Sequence, residues 1–347
     1  MEENLPRLTG PARLEDIAQR VGISRSEVSR VLNGRLRAGR SVGKAKQEEI
    51  RKVARELNYQ PHQGARNLAR GRTDVIALPV EIPPNAPLPP HYQEIISALT
   101  LVFHDHGFRL LLAQLGENPE AALTRLAQTR TCDGILLTDI RMDDPRPKLL
   151  EDLHFPFVIR GSAPYPGVPA TGIDNQAVGR MGLETLAKLG HRRILCQHIG
   201  AGYVAGYWRQ RGAREAAEAL GIADTVQHDD SLYGEEGGYL LAKTALSGPN
   251  PPTALFAADE LVGFGMLRAI AELGLRVPED VSVLSCLNTR ILRRVYPSLS
   301  VLNLQLEVAA HEAGLRLARL LRGDSIPGDQ VFIQPVLDDT GSLAPPR

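Results

Sequence analysis

The stretch LEDIAQRVGISRSEVSRVLN, residues Leu14 to Asn33, reads as two short helices joined by a tight turn. Leu14, Ile17, Ala18 and Val21 recur at helical spacing and form one apolar stripe. Gly22 then breaks the helix and can supply the positive φ of a C-terminal cap. Ser24 suits an N-cap, and Glu27 three residues later completes a capping-box pattern. The second helix buries Val28, Val31 and Leu32 and leaves Arg25, Ser26 and Arg30 on its other side. A short helix with a buried stripe and a free Arg/Ser face, set after a glycine turn, is a helix-turn-helix. Such a helix fits the DNA major groove, where arginine can pair with guanine O6 and N7. The ordinary alternative is a plain helical hairpin with Arg25 and Arg30 as solvated surface. The position of the stretch near the amino end, inside strongly basic sequence, argues against it.

The surrounding charge is uneven. The whole chain of 347 residues has a formal charge of zero, 43% apolar and 23% charged residues, which is ordinary for a globular protein of two or three domains. Residues 1–73 hold 16 Lys and Arg against 8 Asp and Glu, a net of +8; the remainder holds 24 against 32, a net of −8. A basic head on an acidic body has the electrostatic footprint of a phosphate binder whose body repels DNA. A disordered basic tail would lack the periodic apolar residues found here.

Outward from the opening stretch comes a basic, Gly-containing loop, GRLRAGRSVG, and then a third helical pattern from about Lys44 to Asn58, with Ile50, Val53, Ala54 and Leu57 on one face. Lys44, Lys46, Arg51 and Lys52 are either phosphate contacts or a solvated face. Within Tyr59 to Thr73, the stretch Gln63 to Arg70 is too short to be a stable helix alone; the segment carries Arg66, Arg70 and Arg72 around Leu68. A conditionally helical basic linker with one apolar wedge suits minor-groove insertion, although an ordinary flexible linker reads much the same. From Asp74 the texture becomes strand–helix alternation in two consecutive sets, which implies two doubly wound parallel sheets with a ligand cleft at the carboxyl ends of their strands. Expected strands include 75–80, 109–115, 134–139, 155–161, 193–199, 253–259 and 281–287, with SLSVLNL (298–304) crossing over before a last long helix, Glu307 to Arg322.

Cys132, Cys196 and Cys286 are far apart, and no CxxC or Cys/His ligand spacing is visible; neither a metal centre nor a disulfide framework is expected. The amino end, MEENLPRLTG, lacks the pattern of a signal peptide, and no apolar run approaches a membrane span, so a cytoplasmic protein with no membrane partner is expected.

Over nearly the whole chain the motifs resemble the lactose-repressor (LacI-type) family of bacterial transcription regulators. They include LEDIAQRVGISRSEVSRVLNG (14–34), ELNYQPHQGARNLARGRT (56–73), CDGILLTD (132–139), IDNQAVGR (173–180), LGHRRI (189–194), PPTALFAADEL (251–261) and GLRVPEDVSVL (274–284), in the family's order. The resemblance implies an α/β protein: an N-terminal all-α helix-turn-helix head (1–60), a hinge-helix linker (61–73) and a body (74–347) of two doubly wound parallel-sheet lobes, periplasmic-binding-protein-like. The N-lobe would span about 74–172 plus 304–333, and the C-lobe about 173–303 plus 334–343. It further implies a homodimer on a near-palindromic double-stranded operator, with no cofactor, and a small-molecule effector (sugar, sugar derivative or other small metabolite) in the cleft. Carried over residue by residue, the DNA-facing set is Ser24, Arg25, Ser26, Arg30 and Asn33 in the head, with Arg25, Ser26 and Arg30 at base-reading positions. Ala65, Arg66 and the intercalating Leu68 follow in the hinge. The effector set is Tyr92, Asp139, Arg160, Arg209, Asp259 and Asn288. Repression is implied by the resemblance alone. The tail after Ser342 has no heptads, so tetramers are not expected.

Two departures stand out. The basic loop near Leu36 to Arg40 is about four residues longer than the family pattern. At Ser285 to Asn288 the family reads G-F/Y-D-D, and this chain reads SCLN, placing Leu287 where an aspartate binds sugar hydroxyls. Leucine cannot accept a hydrogen bond. Arg160 is an unusual charge for a pocket edge. Two arginines and a lost aspartate imply an effector that is anionic or less hydroxylated than a plain sugar. The ordinary reading pairs Arg160 with a carboxylate such as Asp139 and supposes that effector control is lost.

Other classes fit less well. GAGYVA (200–205) follows a strand and opens a helix like a dinucleotide fingerprint, with Asp224 at roughly the distance of a ribose-binding acid. In the LacI-type likeness the same loop edges the cleft. His104, Asp105 and His106 could hold a metal but read more simply as a solvated helix end. No nucleophile elbow or P-loop is visible. A transport-type binding protein would need export and no DNA-binding head.

Overall fold

The computed structural model describes residues 12–32, 42–59, 71–82, 87–200, 202–231, 234–286 and 298–347. The chain divides into two compact units, Met1–Thr73 and Asp74–Arg347.

The smaller unit is built from α1 (Leu14–Val21), α2 (Arg25–Leu32) and α3 (Lys44–Glu56). Ile17, Ala18, Val21, Val28, Val31, Ile50, Val53 and Ala54 form its core. Gly22 ends α1 in the left-handed region (φ 72°), its N–H bonded to the Ala18 carbonyl at 2.9 Å. The capping box at Ser24 is formed: the Glu27 N–H donates to Ser24 Oγ at 3.3 Å, and the Ser24 N–H donates to the Glu27 carboxylate at 3.1 Å.

The larger unit runs β1 (Val75–Val80), α4 (Tyr92–Asp105), β2 (Arg109–Gln114), α5 (Pro119–Gln128), β3 (Gly134–Leu137), α6 (Arg146–Asp152), β4 (Phe157–Arg160) and β5 (Ala170–Ile173). It continues with α7 (Asn175–Lys188), β6 (Ile194–Gln197), α8 (Val204–Ala219), β7 (Val226–Asp229), α9 (Gly234–Leu246), β8 (Ala254–Ala257), α10 (Glu260–Glu272) and β9 (Ser282–Cys286). It closes with β10 (Ser300–Asn303), α11 (Leu306–Arg322), β11 (Gln330–Ile333) and β12 (Val336–Asp338). Two six-stranded sheets result, in the orders β11-β5-β4-β3-β1-β2 and β12-β10-β9-β8-β6-β7. Every pairing is parallel except β10 with β12. Strands such as VIALPV and GILL are apolar throughout because helices cover both faces of a parallel sheet. The segment read as a crossover at 298–304 is itself a strand, β10, and the sequence reading passed over β5, β7, β11 and β12.

Helices pack in close pairs through glycines. A Cβ on Gly179 of α7 would lie 1.9 Å from the Arg209 carbonyl of α8, and one on Gly212 of α8 would lie 2.0 Å from the Gln176 carbonyl of α7. Only glycine lets the two backbones touch there, and this contact fixes where α8 carries the Arg209 side chain.

The chain passes between the sheets three times, at Asp174, Gln305 and Gln334. These crossings are laced together: the Asp174 N–H donates to the Ile333 carbonyl (3.0 Å), Gln305 Nε2 to the Gln334 carbonyl (2.7 Å), and Gln334 Nε2 to Asp174 Oδ2 (3.2 Å).

Candidate functional site

In the smaller unit, Ser24, Arg25, Ser26 and Arg30 are all exposed on or beside α2, opposite Val28 and Val31. Arg25 reaches back to Glu15 of α1 at 2.9 Å, with both side chains more than half exposed, so water screens the pair and leaves the guanidinium open to exchange partners. Arg30 Nε donates to the Ser26 carbonyl at 3.3 Å. Ser24 spends its hydroxyl on the cap, donating to Glu27 at 2.7 Å, which makes it a positioning residue for the helix start. That hydroxyl, with the Ser24 backbone N–H, holds the Glu27 carboxyl below its usual range. The face is short, polar and cationic. Asn33, Ala65, Arg66, Leu68 and the basic loop lie outside the described residues.

In the larger unit, a cavity of about 570 Å³ opens at the carboxyl ends of strands from both sheets. Tyr92, Asp139, Arg160, Arg209 and Asp259 all line it, brought together from α4, the loops after β3 and β8, the end of β4, and α8. Asn288 and Leu287 lie outside the described residues. Backbone bonds clasp the two halves across the cavity: the Met142 N–H donates to the Gly202 carbonyl (2.8 Å) and the Val204 N–H to the Ile140 carbonyl (3.0 Å).

Each polar side chain is held differently. The Tyr92 hydroxyl donates to the Asp139 carboxylate; burial and that carboxylate together push the phenol well above its ordinary pKa. Asp139 itself adopts a left-handed backbone (φ 51°). Arg146, which sequence reasoning missed, braces this loop. It is buried, donates to the carbonyls of Thr138 and Asp139 at 3.0 Å each, and pairs with Asp144 at 2.7 Å and Glu81 at 3.2 Å. Burial opposes ionisation of Asp144, but the Arg146 bonds and charge prevail and keep its carboxyl below the usual range. The sequence DDPRPK held these residues without a pattern to reveal their roles.

Arg209 is 3% exposed, donating to the Ala258 carbonyl and to Asn175 Oδ1 at 2.8 Å each. Asp259 caps α10, accepting the Val262 N–H at 2.9 Å. The next residue, Glu260, is 2% exposed with neither carboxylate oxygen hydrogen-bonded, and burial, then Asp259, push its pKa up to about 8. Among the described residues Arg160 does not form the ion pair with Asp139 that the ordinary reading supposed. Its one hydrogen bond among them runs from Nη1 to Thr138 Oγ1 at 3.4 Å.

The loop at Gly200 edges the cavity, while Asp224 sits in a short turn before the amino end of β7, the opposite end of the sheet. A dinucleotide fingerprint needs its acid at the carboxyl end, so Asp224 cannot serve in that role.

The absence of a Cys/His spacing in the sequence needs correction, because folding supplies one. Register pairs Cys196 with His228, and His198 follows two residues on, so their ligating atoms lie within 4.8 Å of one another. His198 Nε2 and His228 Nδ1 share a hydrogen bond of 2.9 Å. Burial, then His228, Arg209 and Arg214, push His198 down to about 3, and burial with Arg214 pushes His228 to about 4. Those arginines oppose any further cation at this cluster.

A helix-turn-helix head joined to a two-lobed body whose cleft carries convergent charged side chains defines a ligand-binding class of DNA-binding regulators. Residues 13–62 match the model of the bacterial regulatory proteins of the lacI family, and residues 183–342 match a periplasmic binding protein-like domain. The chain is 33% identical over 327 residues to the HTH-type transcriptional regulator CelR of Thermobifida fusca, covering 91% of this chain and 92% of that one. It is 32% identical over 305 residues to the HTH-type transcriptional repressor PurR of Escherichia coli, covering 84% and 85%. Among solved structures, the CelR–cellobiose complex matches at 28% identity with a TM-score of 0.68, over 95% of this chain and 99% of that one. The lac repressor dimer bound to operator shares the fold, with a TM-score of 0.81 at 21% identity over 96% of this chain and 100% of that one. The chain belongs to the lacI family of bacterial regulatory proteins and is a DNA-binding transcriptional regulator. Among the described residues no helix is long and apolar enough to cross a membrane.

Proposed function

We propose that this regulator is a homodimeric repressor that reads a near-palindromic operator through Arg25, Ser26 and Arg30, and whose operator affinity is set by a small hydroxylated effector held between its lobes. The observation that carries the reading is the cleft itself: five side chains from distant parts of the chain converge on one cavity at the carboxyl ends of both sheets. The exposed Arg/Ser face of α2 supports operator reading. The naming of PurR as a repressor and the cellobiose held by CelR support repression and a saccharide-type effector. A ligand bound to both lobes favours one lobe angle over another, and coupling of that angle to DNA affinity follows from differential binding to the two states.

Selection of genomic fragments by the full-length protein tests this, followed by titration of mono- and disaccharides and their derivatives into the recovered complex. An enriched palindrome whose affinity responds to one of them is expected. No enriched sequence, with or without these compounds, overturns the reading.

A further inference from the structure

Three buried arginines reach the cavity wall, and they differ in their counter-charges. Arg146 is matched by Asp144 and Glu81. Among the described residues Arg209 donates only to neutral acceptors, and its Nε has no hydrogen-bond partner. Arg160 is the least satisfied: it is 8% exposed and, among the described residues, makes the single 3.4 Å bond to Thr138, leaves Nε without a partner, and forms no ion pair. A guanidinium cannot shed its proton, and a buried charge without a partner is costly. Burial pushes the Arg160 pKa down, and Asp139 is the main charge working against that.

The neighbours of Arg160 define what would satisfy it. Thr138 Oγ1 accepts from Arg160 and lies 3.4 Å from Asp139 Oδ1, so a guanidinium, a hydroxyl and a carboxylate stand in sequence along one wall. The guanidinium offers a planar fork to a carboxylate or phosphate. The carboxylate oxygens of Asp139 have lone pairs left for ligand hydroxyls after accepting from Tyr92. A neutral sugar would use the second feature and leave the buried charge unanswered. A bare inorganic anion would use the first and leave most of the 570 Å³ unfilled.

We infer that the effector is a hydroxylated organic anion, a sugar acid or sugar phosphate, and that Arg160 is the specificity-determining residue that binds its anionic group. This deepens the cleft reading above and rests on it.

The test uses full-length protein, wild type, Arg160→Gln and the charge-retaining Arg160→Lys. Inorganic phosphate is the probe for the anion alone, glucuronate and glucose 6-phosphate are the probes for the two anionic classes, and glucose and cellobiose are the neutral controls. Phosphate should raise the wild-type melting temperature above that in chloride of equal ionic strength. The rise should disappear in Arg160→Gln and persist in Arg160→Lys. By calorimetry one of the two acids should bind wild type at least about tenfold more tightly than either neutral sugar, with the advantage lost in Arg160→Gln. Which acid wins distinguishes carboxylate from phosphate. Equal phosphate stabilisation of wild type and Arg160→Gln overturns the assignment. So does a neutral sugar that binds both equally while still moving operator affinity, an outcome that leaves the effector reading intact. No response of wild type to phosphate or either acid also overturns it, a measurement that stands even if Arg160→Gln fails to fold. Arg160-dependent acid binding that leaves operator affinity unchanged upholds the assignment and removes the effector reading instead.

Discussion

The Tyr92 hydroxyl donates to the Asp139 carboxylate, tying the first turn of α4 to the loop after β3 at the floor of the cleft. Burial, and then the Asp139 carboxylate, raise the phenol pKa, so the proton stays on Tyr92. Tyr92→Phe removes the donor and keeps the ring. A hydrogen bond to a charged group is worth about 1.5–3 kcal/mol, and we expect a loss of that order in urea denaturation. A loss under about 0.5 kcal/mol would show that water replaces the phenol at no cost.

Operator recognition should separate by residue. Arg30→Ala is expected to weaken operator binding by about 1–3 kcal/mol while largely sparing binding to random duplex. Lys44→Ala should weaken both and lower the salt slope by about one. Fluorescence anisotropy across a salt series reads both effects. Equal losses on operator and random DNA for Arg30→Ala would make Arg30 a phosphate contact.

Glu260 gives a pH dependence of definite sign. Its carboxyl titrates at about 8 in the folded chain against 4.5 as the ordinary value, so the native state holds the proton more tightly. Its contribution is fully present below the lower value and is lost as pH rises through the upper one. Glu260→Gln should therefore raise the melting temperature near pH 8 and change it little near about pH 5. An equal shift at both would mean that the carboxylate finds partners in solution.

The histidine pair acts with the opposite pH sense. His198 and His228 are pushed to about 3 and about 4 from an ordinary 6.5. Stability is complete above the ordinary value and declines as pH falls through the folded ones, because the unfolded chain takes up protons first. Replacing both residues with asparagine should flatten the fall of unfolding free energy between about pH 6.5 and 4, without abolishing it, since burial also depresses His91 and His191. An unchanged slope would place the acid sensitivity elsewhere.

The sequence was most readable where one element carries its own signal. Gly22, Ser24 and Glu27 announce the head because capping is local, and VIALPV or GILL announce buried strands because both faces are covered. β7 (VQHD), β11 (QVFI) and β12 (VLD) were missed because edge strands are partly solvated and lose the apolar run; β5 (ATGI) is broken by Gly172, whose Cβ would lie 2.5 Å from the Gly161 backbone. The cleft was readable as far as it uses strand ends: Tyr92, Asp139, Arg160, Arg209 and Asp259 share one cavity. Partnerships across the fold were not. That Arg146 takes the carboxylates and Arg160 takes none depends on loop geometry, and the meeting of Cys196 with His228 depends on register between strands far apart in sequence.

The three laced crossings at Asp174, Gln305 and Gln334 have a consequence for how the chain is made. Neither sheet is encoded by one continuous segment. A ribosome delivers β1 to β5, then every strand of the second sheet but β12, and only afterwards α11, which packs on β3, β4 and β5, and the edge strand β11. The half of the body translated first is thus the half that must wait, with part of one face uncovered, for α11 and β11 to arrive. Truncation near the carboxyl end strips both lobes at once.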